Sequence, residues 1–180
     1  NIIIYGENCI FNNEYEYKYD NYTLFLETIF DNCNFISCQF IKFETLKNKF
    51  INSIFETCNF ELSLFKESNI QNTNFISSTF YSLIMENTAI IDSNFNACSI
   101  ANNIFDNTKI DNSSFIKSNF LSVVDNNQLK NTNQFINGTY FRNVNFQESV
   151  GFIEFDFENM NLEGSRLVGL DLTRCNFKKS

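Results

Sequence analysis

The sequence predicts an all-β solenoid, a backbone that turns a corner every five residues and coils about an axis filled with phenylalanine. Three observations predict it. An apolar residue recurs at every fifth position from Phe25 to Phe120, a small residue stands two places before most of these, and proline is absent from all 180 residues. A helix does not explain the period, because at about 100° per residue a step of five rotates each Phe by about 140° net and leaves no stripe. A flat strand does not explain it either, because five is odd and successive Phe residues would face opposite ways. A chain that turns a corner every five residues points each Phe to one axis.

The period is strict over the segment 23–122. Of the twenty positions 25, 30, 35 and so on to 120, nineteen hold Phe, Ile or Met, and only Thr45 departs. Two residues before these centres, sixteen of the twenty positions hold Cys, Ser or Thr; the exceptions are Phe43, Asn48, Leu83 and Asn103. A period this regular is an internal repeat and is read before anything else. The small residue is expected to leave room at a tapering corner.

Units such as "CNFIS", "TNFIS", "SNFNA" and "SNFLS", and the C-terminal run "MNLEGSRLVGLDLTRCNF", carry a resemblance. They resemble the repeats of the pentapeptide-repeat family over residues 23–122 and about 139–177. The resemblance implies a right-handed quadrilateral β-helix, with four pentapeptides to a coil and with the centre and the residue two before it pointing inward. Stacking supports it, because four fives place residues twenty apart above one another. Phe35, Phe55, Phe75, Phe95 and Phe115 then form an unbroken ladder, the expected structural core. Coils at the strand spacing of about 4.8 Å suit offset aromatic stacking. The absence of Pro fits a structure whose coils pair through backbone hydrogen bonds on all sides.

The remaining elements follow along the chain as parts of one expected domain, 1–180. Residues 1–22 read as an N-terminal capping coil with Phe11 as a centre, interrupted at 12–22 by an excursion in which Tyr15, Tyr17 and Tyr19 alternate with charge. In 41–49, Phe43 and Thr45 exchange the expected sizes, which reads as a bulged corner. Residues 123–135 read as a loop or register break, since Asp125 falls on a centre and a buried unpaired carboxylate is costly. The repeat resumes over 136–177, displaced by one residue at Phe141 and Phe146. It shifts again near Gly151 to give Phe152, Phe157, Leu162, Leu167, Leu172 and Phe177. There the inward partner is bulky: Val144, Val150, Phe155, Met160 and Leu170.

Composition excludes several functions. The net charge of −8 argues against direct binding of nucleic acid or of an anionic membrane, and the absence of His removes the usual catalytic base and an imidazole zinc ligand. No apolar run approaches the roughly 18 residues of a membrane span. The six cysteines fall at the small inward position, form no C-x-x-C pair and read as buried, reduced thiols of a cytoplasmic protein. No catalytic constellation, metal site or cofactor site is expected.

Two surface features are candidates for binding. Glu148, Glu154, Asp156, Glu158 and Glu163 form an acidic C-terminal segment. Some acidic members of the resembled family mimic duplex DNA and bind DNA gyrase, protecting it from quinolones, which makes gyrase a candidate partner. DNA carries a charge per about 1.7 Å, so a rod about 40 Å long would need roughly 23 charges, far above −8. The second feature is an apolar stripe before the centres of one side: Leu24, Leu64, Ile84, Ile104 and Val124, broken by Glu44. The expected function is therefore a non-enzymatic protein-binding or scaffold module, with a gyrase-binding DNA mimic as the alternative. A homodimer is expected, end to end through Phe177 or laterally along the stripe.

Overall fold

The computed structural model describes residues 5–7, 10–12, 23–124, 128–136, 138–152, 157–158 and 161–180. It is an all-β, four-sided parallel solenoid, the predicted class. Strands of three or four residues stack into four parallel sheets, one for each side. Side one begins with Tyr5–Glu7, Asn34–Ile36, Ile54–Glu56 and Asn74–Ile76, and bridges carry it on through Asn94, Ser114, Asn145 and Arg166. Side two runs Ile10–Asn12, Gln39–Ile41, Asn59–Glu61, Thr79–Tyr81 and Ser99–Ala101. Side three runs Thr23–Leu26, Phe43–Leu46, Leu64–Lys66, Ile84–Glu86, Ile104–Asp106 and Gln134–Ile136. Side four runs Ile29–Asp31, Lys49–Ile51, Asn69–Gln71, Ala89–Ile91, Lys109–Asp111 and Tyr140–Arg142.

The register is the twenty-residue step, with Phe35 opposite Phe55 and Phe55 opposite Phe75. Phe35, Phe55, Phe75, Phe95 and Phe115 are all buried. Their rings stack nearly parallel, with centroids 4.9, 4.9, 4.7 and 4.9 Å apart. Around a coil the rings meet edge to face instead, as Phe75 and Phe80 do at 5.4 Å and 69°. Both are the geometries that the ring quadrupole favours.

The small inward residue does more than leave room. Ser78 Oγ donates to the Phe55 carbonyl at 3.0 Å and accepts the Cys58 N–H at 3.1 Å. Ser118 Oγ accepts the Cys98 N–H at 3.1 Å, and Cys98 Sγ donates to the Phe75 carbonyl at 2.9 Å. Each such side chain ties backbone groups at the corner to the preceding coil. Those groups are buried, and an unmade buried hydrogen bond is costly. Asn103 serves in the same way, accepting from Leu83 N–H at 2.8 Å and donating to the Phe80 carbonyl at 3.0 Å. The twenty positions contain no Ala; all but Phe43 and Leu83 hold a side chain with a polar hydrogen.

Corners are turned by a left-handed residue two places after the centre, with φ of 50° at Glu27, 52° at Leu62 and 48° at Asn112. Asn, which adopts this region more readily than most residues, fills many of these positions, including Asn32, Asn52, Asn72, Asn87, Asn107 and Asn112.

The structure corrects three expectations. There is no bulged corner at 41–49: Thr45 pairs in step with Phe25 and Phe65. Phe43 is buried and sets its ring edge to face against Phe40 and Phe65, filling the axis that Thr45 leaves open. The repeat resumes at Phe135, which stacks on Phe105 at 4.7 Å. Before it, Leu121–Val124 and Gln128–Asn131 form an antiparallel hairpin inserted at the corner between sides two and three. The one-residue displacement enters after Phe135, beside Gly138 at φ +84°. Val150 is not inward: it is 50% exposed, pairs with Asn119, and Ser149 is the buried inward residue. At this coil Gly151 lies under the backbone of Phe120, at φ +106°, and an added Cβ would fall 2.8 Å from Phe120 Cβ. Phe152 supplies the ring there.

Phe11 pairs with Phe40 as a centre. The tyrosine-rich residues 13–22, Cys9, Asp125, Glu154, Phe155, Asp156 and Met160 lie outside the described residues.

Candidate interaction surfaces

Inward chemistry offers no reactive group among the described residues. Cys33, Cys38, Cys58 and Cys98 are buried free thiols, and Cys175 is half-buried. Burial pushes the Cys58 and Cys98 thiols up to about 12, so both remain protonated rather than becoming the thiolates that react or bind metal. No group of three or more His, Cys, Asp or Glu side chains among the described residues is placed to hold a metal ion. No helix among them is long and apolar enough to cross a membrane.

The positions that face outward are the residues before and after each centre and the left-handed corner residue. Of the apolar stripe, Leu64, Ile84 and Ile104 lie on one ladder of side three. Leu64 and Ile104 are half-buried and Ile84 is 39% exposed. Leu24 stands opposite Glu44 at the head of the row. Val124 does not belong to it: Gln134 follows Ile104, because the hairpin carries Val124 away. The stripe is three residues long, and the salt bridge Lys66–Glu86 at 2.9 Å runs beside it. That ion pair raises the Lys66 pKa.

The acidic segment does not form one surface. Glu148 is a corner residue between sides one and two, 3.7 Å from Lys117. Glu158 follows the centre Phe157 and lies 3.8 Å from Lys178. Glu163 stacks beyond side four, where its carbonyl accepts the Asn143 N–H at 2.7 Å. The solenoid distributes close neighbours in sequence over different sides. Asp111 is paired as well: Arg142 hydrogen-bonds its carboxylate and holds it below the usual carboxylate range.

Position by position, charge is unevenly divided, a feature that the linear sequence hides. Sides three and four carry Glu44, Lys66, Glu86 and Asp106, and Asp31, Lys49, Lys109, Asp111 and Arg142. On side one, the row before the centres reads Asn34, Ile54, Asn74, Asn94, Ser114, Asn145, Arg166. The row after them reads Ile36, Glu56, Ile76, Asn96, Ile116, Gln147, Val168. One coil earlier Glu7 stands opposite Ile36, so among the described residues the charges of these rows are Glu7, Glu56 and Arg166. Ile54 is 37% and Ile76 41% exposed. Asn94 Nδ2 donates to Asn74 Oδ1 at 2.6 Å, so part of the amide row is tied into the wall itself. Side one is thus a charge-poor wall of Asn and Ile along the rod, and a repeat of five within a coil of twenty is what gathers these residues.

Comparison with known proteins finds similarity in part of the chain's sequence and in solved structures. The family model described as "Pentapeptide repeats (8 copies)" matches residues 152–178. No curated protein matches it. Among solved structures, a trypsin-treated variant of QnrB1, a plasmid-mediated fluoroquinolone resistance protein, is similar at 12% identity. The match covers 98% of this chain and 83% of that one, with a TM-score of 0.36. HetL, a pentapeptide-repeat protein involved in heterocyst differentiation regulation in the cyanobacterium Nostoc, is similar at 11% identity, 87% and 83% coverage and a TM-score of 0.26. A pentapeptide-repeat protein, Rfr23, from the cyanobacterium Cyanothece is similar at 16% identity, 79% and 90% coverage and a TM-score of 0.21. The fold assignment rests on the chain's own ladders.

Proposed function

We propose that this protein is a non-catalytic, protein-binding scaffold that presents rigid side walls to its partners. The observation that supports this reading is the charge-poor wall of side one on a chain of net charge −8. Depletion of charge is the compositional mark of the core of an interface, and a wall whose backbone is already paired coil to coil binds without an ordering cost. The DNA-mimic reading, with gyrase as partner, requires a continuous acidic row. The described acids are instead spread over several sides, and Glu86, Asp111, Glu148 and Glu158 each face a Lys or Arg. Reduced thiols fit a reducing compartment such as the cytoplasm.

A site-specific test places a photo-crosslinking side chain at Ile76 on the wall or at Lys49 on the charged side. Crosslinks to another protein from position 76 and not from 49 are expected; equal yields from both positions refute the wall as the binding face. A gyrase supercoiling assay, with and without a quinolone, tests the alternative, and inhibition or quinolone protection by the purified protein would establish it.

A further inference from the structure

We infer that side two is a binding face for neutral saccharides, on which an extended chain of pyranose units lies along the rod with one sugar ring against Tyr81. Side two is separate from the wall of side one, and its role does not depend on that of the wall. The fold leaves hydrogen-bonding groups unused here. The row before the centres of side two includes Gln39, Asn59, Thr79 and Ser99. Their side chains make no hydrogen bond among the described residues, and none of the four is buried. Elsewhere on the rod amides are spent on one another: Asn94 donates to Asn74 at 2.6 Å, Asn72 to Asn52 at 2.7 Å and Asn107 to Asn87 at 2.8 Å. An aromatic ring completes the face. Tyr81 follows the centre Phe80 and is 41% exposed, and it stacks on no other ring among the described residues. In its row it stands between Glu61 and Ala101, with a carboxylate acceptor on one side and a methyl group on the other. Glu61 is the sole charged residue in the strands of side two.

These features select the ligand. A pyranose carries hydroxyls around its rim, which exchange hydrogen bonds with amides and hydroxyls, and C–H faces, which pack on an aromatic ring. It is uncharged, as the row is. A nucleic acid or an acidic glycan is repelled by a chain of net charge −8. A protein partner is a poorer match, because Ser and Thr are under-represented among the residues that anchor protein interfaces. Among the described side chains of these strands, moreover, Tyr81 is the one exposed large apolar group. The coil spacing of about 4.8 Å is close to the length of one sugar unit in an extended chain, so successive units meet successive rows. The face is open and offers few contacts to each sugar, so binding is weak, with dissociation on the order of 10⁻⁴ to 10⁻³ M.

Saturation-transfer NMR on the whole chain tests it, with cellohexaose, maltohexaose and mannohexaose as neutral probes and a heparin hexasaccharide as the acidic one. At least one neutral probe should titrate in that range, and the heparin fragment should not. Tyr81→Ala, an exposed substitution that leaves the axis untouched, should weaken binding about tenfold, whereas Tyr81→Phe should stay within about threefold of wild type. Asn59→Leu, which keeps the ring, should weaken it about threefold. Ile76→Lys on side one should leave it unchanged. Failure of all three neutral probes to bind overturns the inference, as does binding indifferent to both Tyr81→Ala and Asn59→Leu. Tighter binding of the heparin fragment than of the neutral probes overturns it too, and so does loss of binding in Ile76→Lys. Those outcomes leave the crosslinking test of the scaffold reading untouched.

Discussion

The inward hydroxyl or thiol is the residue on which each corner depends. Ser78 donates to the Phe55 carbonyl at 3.0 Å and accepts from Cys58 N–H in the buried interior, and it reaches the part-buried Ile76 carbonyl at 3.3 Å. Ser78→Ala is expected to cost about 1–3 kcal/mol, the cost of leaving buried backbone groups unpaired. Ser78→Cys should cost less, because Cys98 makes the same contact to the Phe75 carbonyl. Denaturant titration of both variants checks the order. Phe75→Ala removes a ring stacked on two neighbours and should cost about 3–5 kcal/mol; a loss below about 1 kcal/mol would deny its burial. The thiols also set a pH dependence. Cys58 and Cys98 are raised from 9.0 to about 12 in the folded chain, so unfolding releases their protons between these values. Their stabilising contribution is present in full below about pH 9 and is lost as pH rises toward about 12, with a slope of up to about 1.4 kcal/mol per pH unit for each thiol. Denaturation midpoints flat across that interval would contradict it, as would rapid alkylation of Cys98 in native protein.

At the scale of the element, the coil at 43–62 shows how the repeat tolerates an exchange. Thr45 keeps the backbone register of a centre while Phe43, two residues earlier, carries the ring. Thr45→Phe alone should overfill the axis and destabilise by about 1–3 kcal/mol. Phe43→Ser combined with Thr45→Phe restores the ordinary order of sizes and should recover most of that loss. Non-additivity in this pair, measured by denaturation, is the expected result, because the two side chains share one space. A second element-scale expectation concerns corners. Leu62 sits at φ 52° with an exposed side chain, a backbone region that Asn adopts more readily. Leu62→Asn should stabilise the coil by about 0.5–1 kcal/mol. Gly151→Ala should do the reverse, since its Cβ would meet Phe120.

Over the whole molecule, each coil contacts only its neighbours, so stability is carried coil by coil. Hydrogen exchange should be slowest for the amides of the middle coils, near Phe75 and Phe95, and faster toward the final coil, where Leu162, Leu167 and Leu172 are only half-buried and Phe177 is 38% exposed. Uniform protection along the rod would argue for a covering contact at that end. Charge is also organised at this scale, with acids and bases on sides three and four and the Asn–Ile wall on side one. The single-site crosslinks from positions 76 and 49 are the measurement that belongs to it.

The five-residue spacing of Phe25 to Phe120 by itself determined a chain that turns a corner every five residues and buries its centres on one axis, while the four sides, the twenty-residue Phe ladders and the inward pointing of the small position came with the resemblance of its units to pentapeptide repeats. It also marked Phe141, Phe146 and Phe157 after the break. It did not distinguish a spacer from a hydrogen-bonding group at Ser78 or Ser118, since that role exists only once the next coil brings the Phe55 or Phe95 carbonyl within reach. Phe135 was passed over because ten residues of hairpin interrupt the count before it, although Asn133, two places earlier, marks the inward position as Asn103 does. Glu148, Glu158 and Glu163 read as one acidic segment in the chain and separate onto different sides in space. Only the tertiary structure assembled the wall of Asn74, Ile76, Asn94 and Ile116, because residues that share a wall lie a full coil apart, and what lies between them in sequence faces elsewhere.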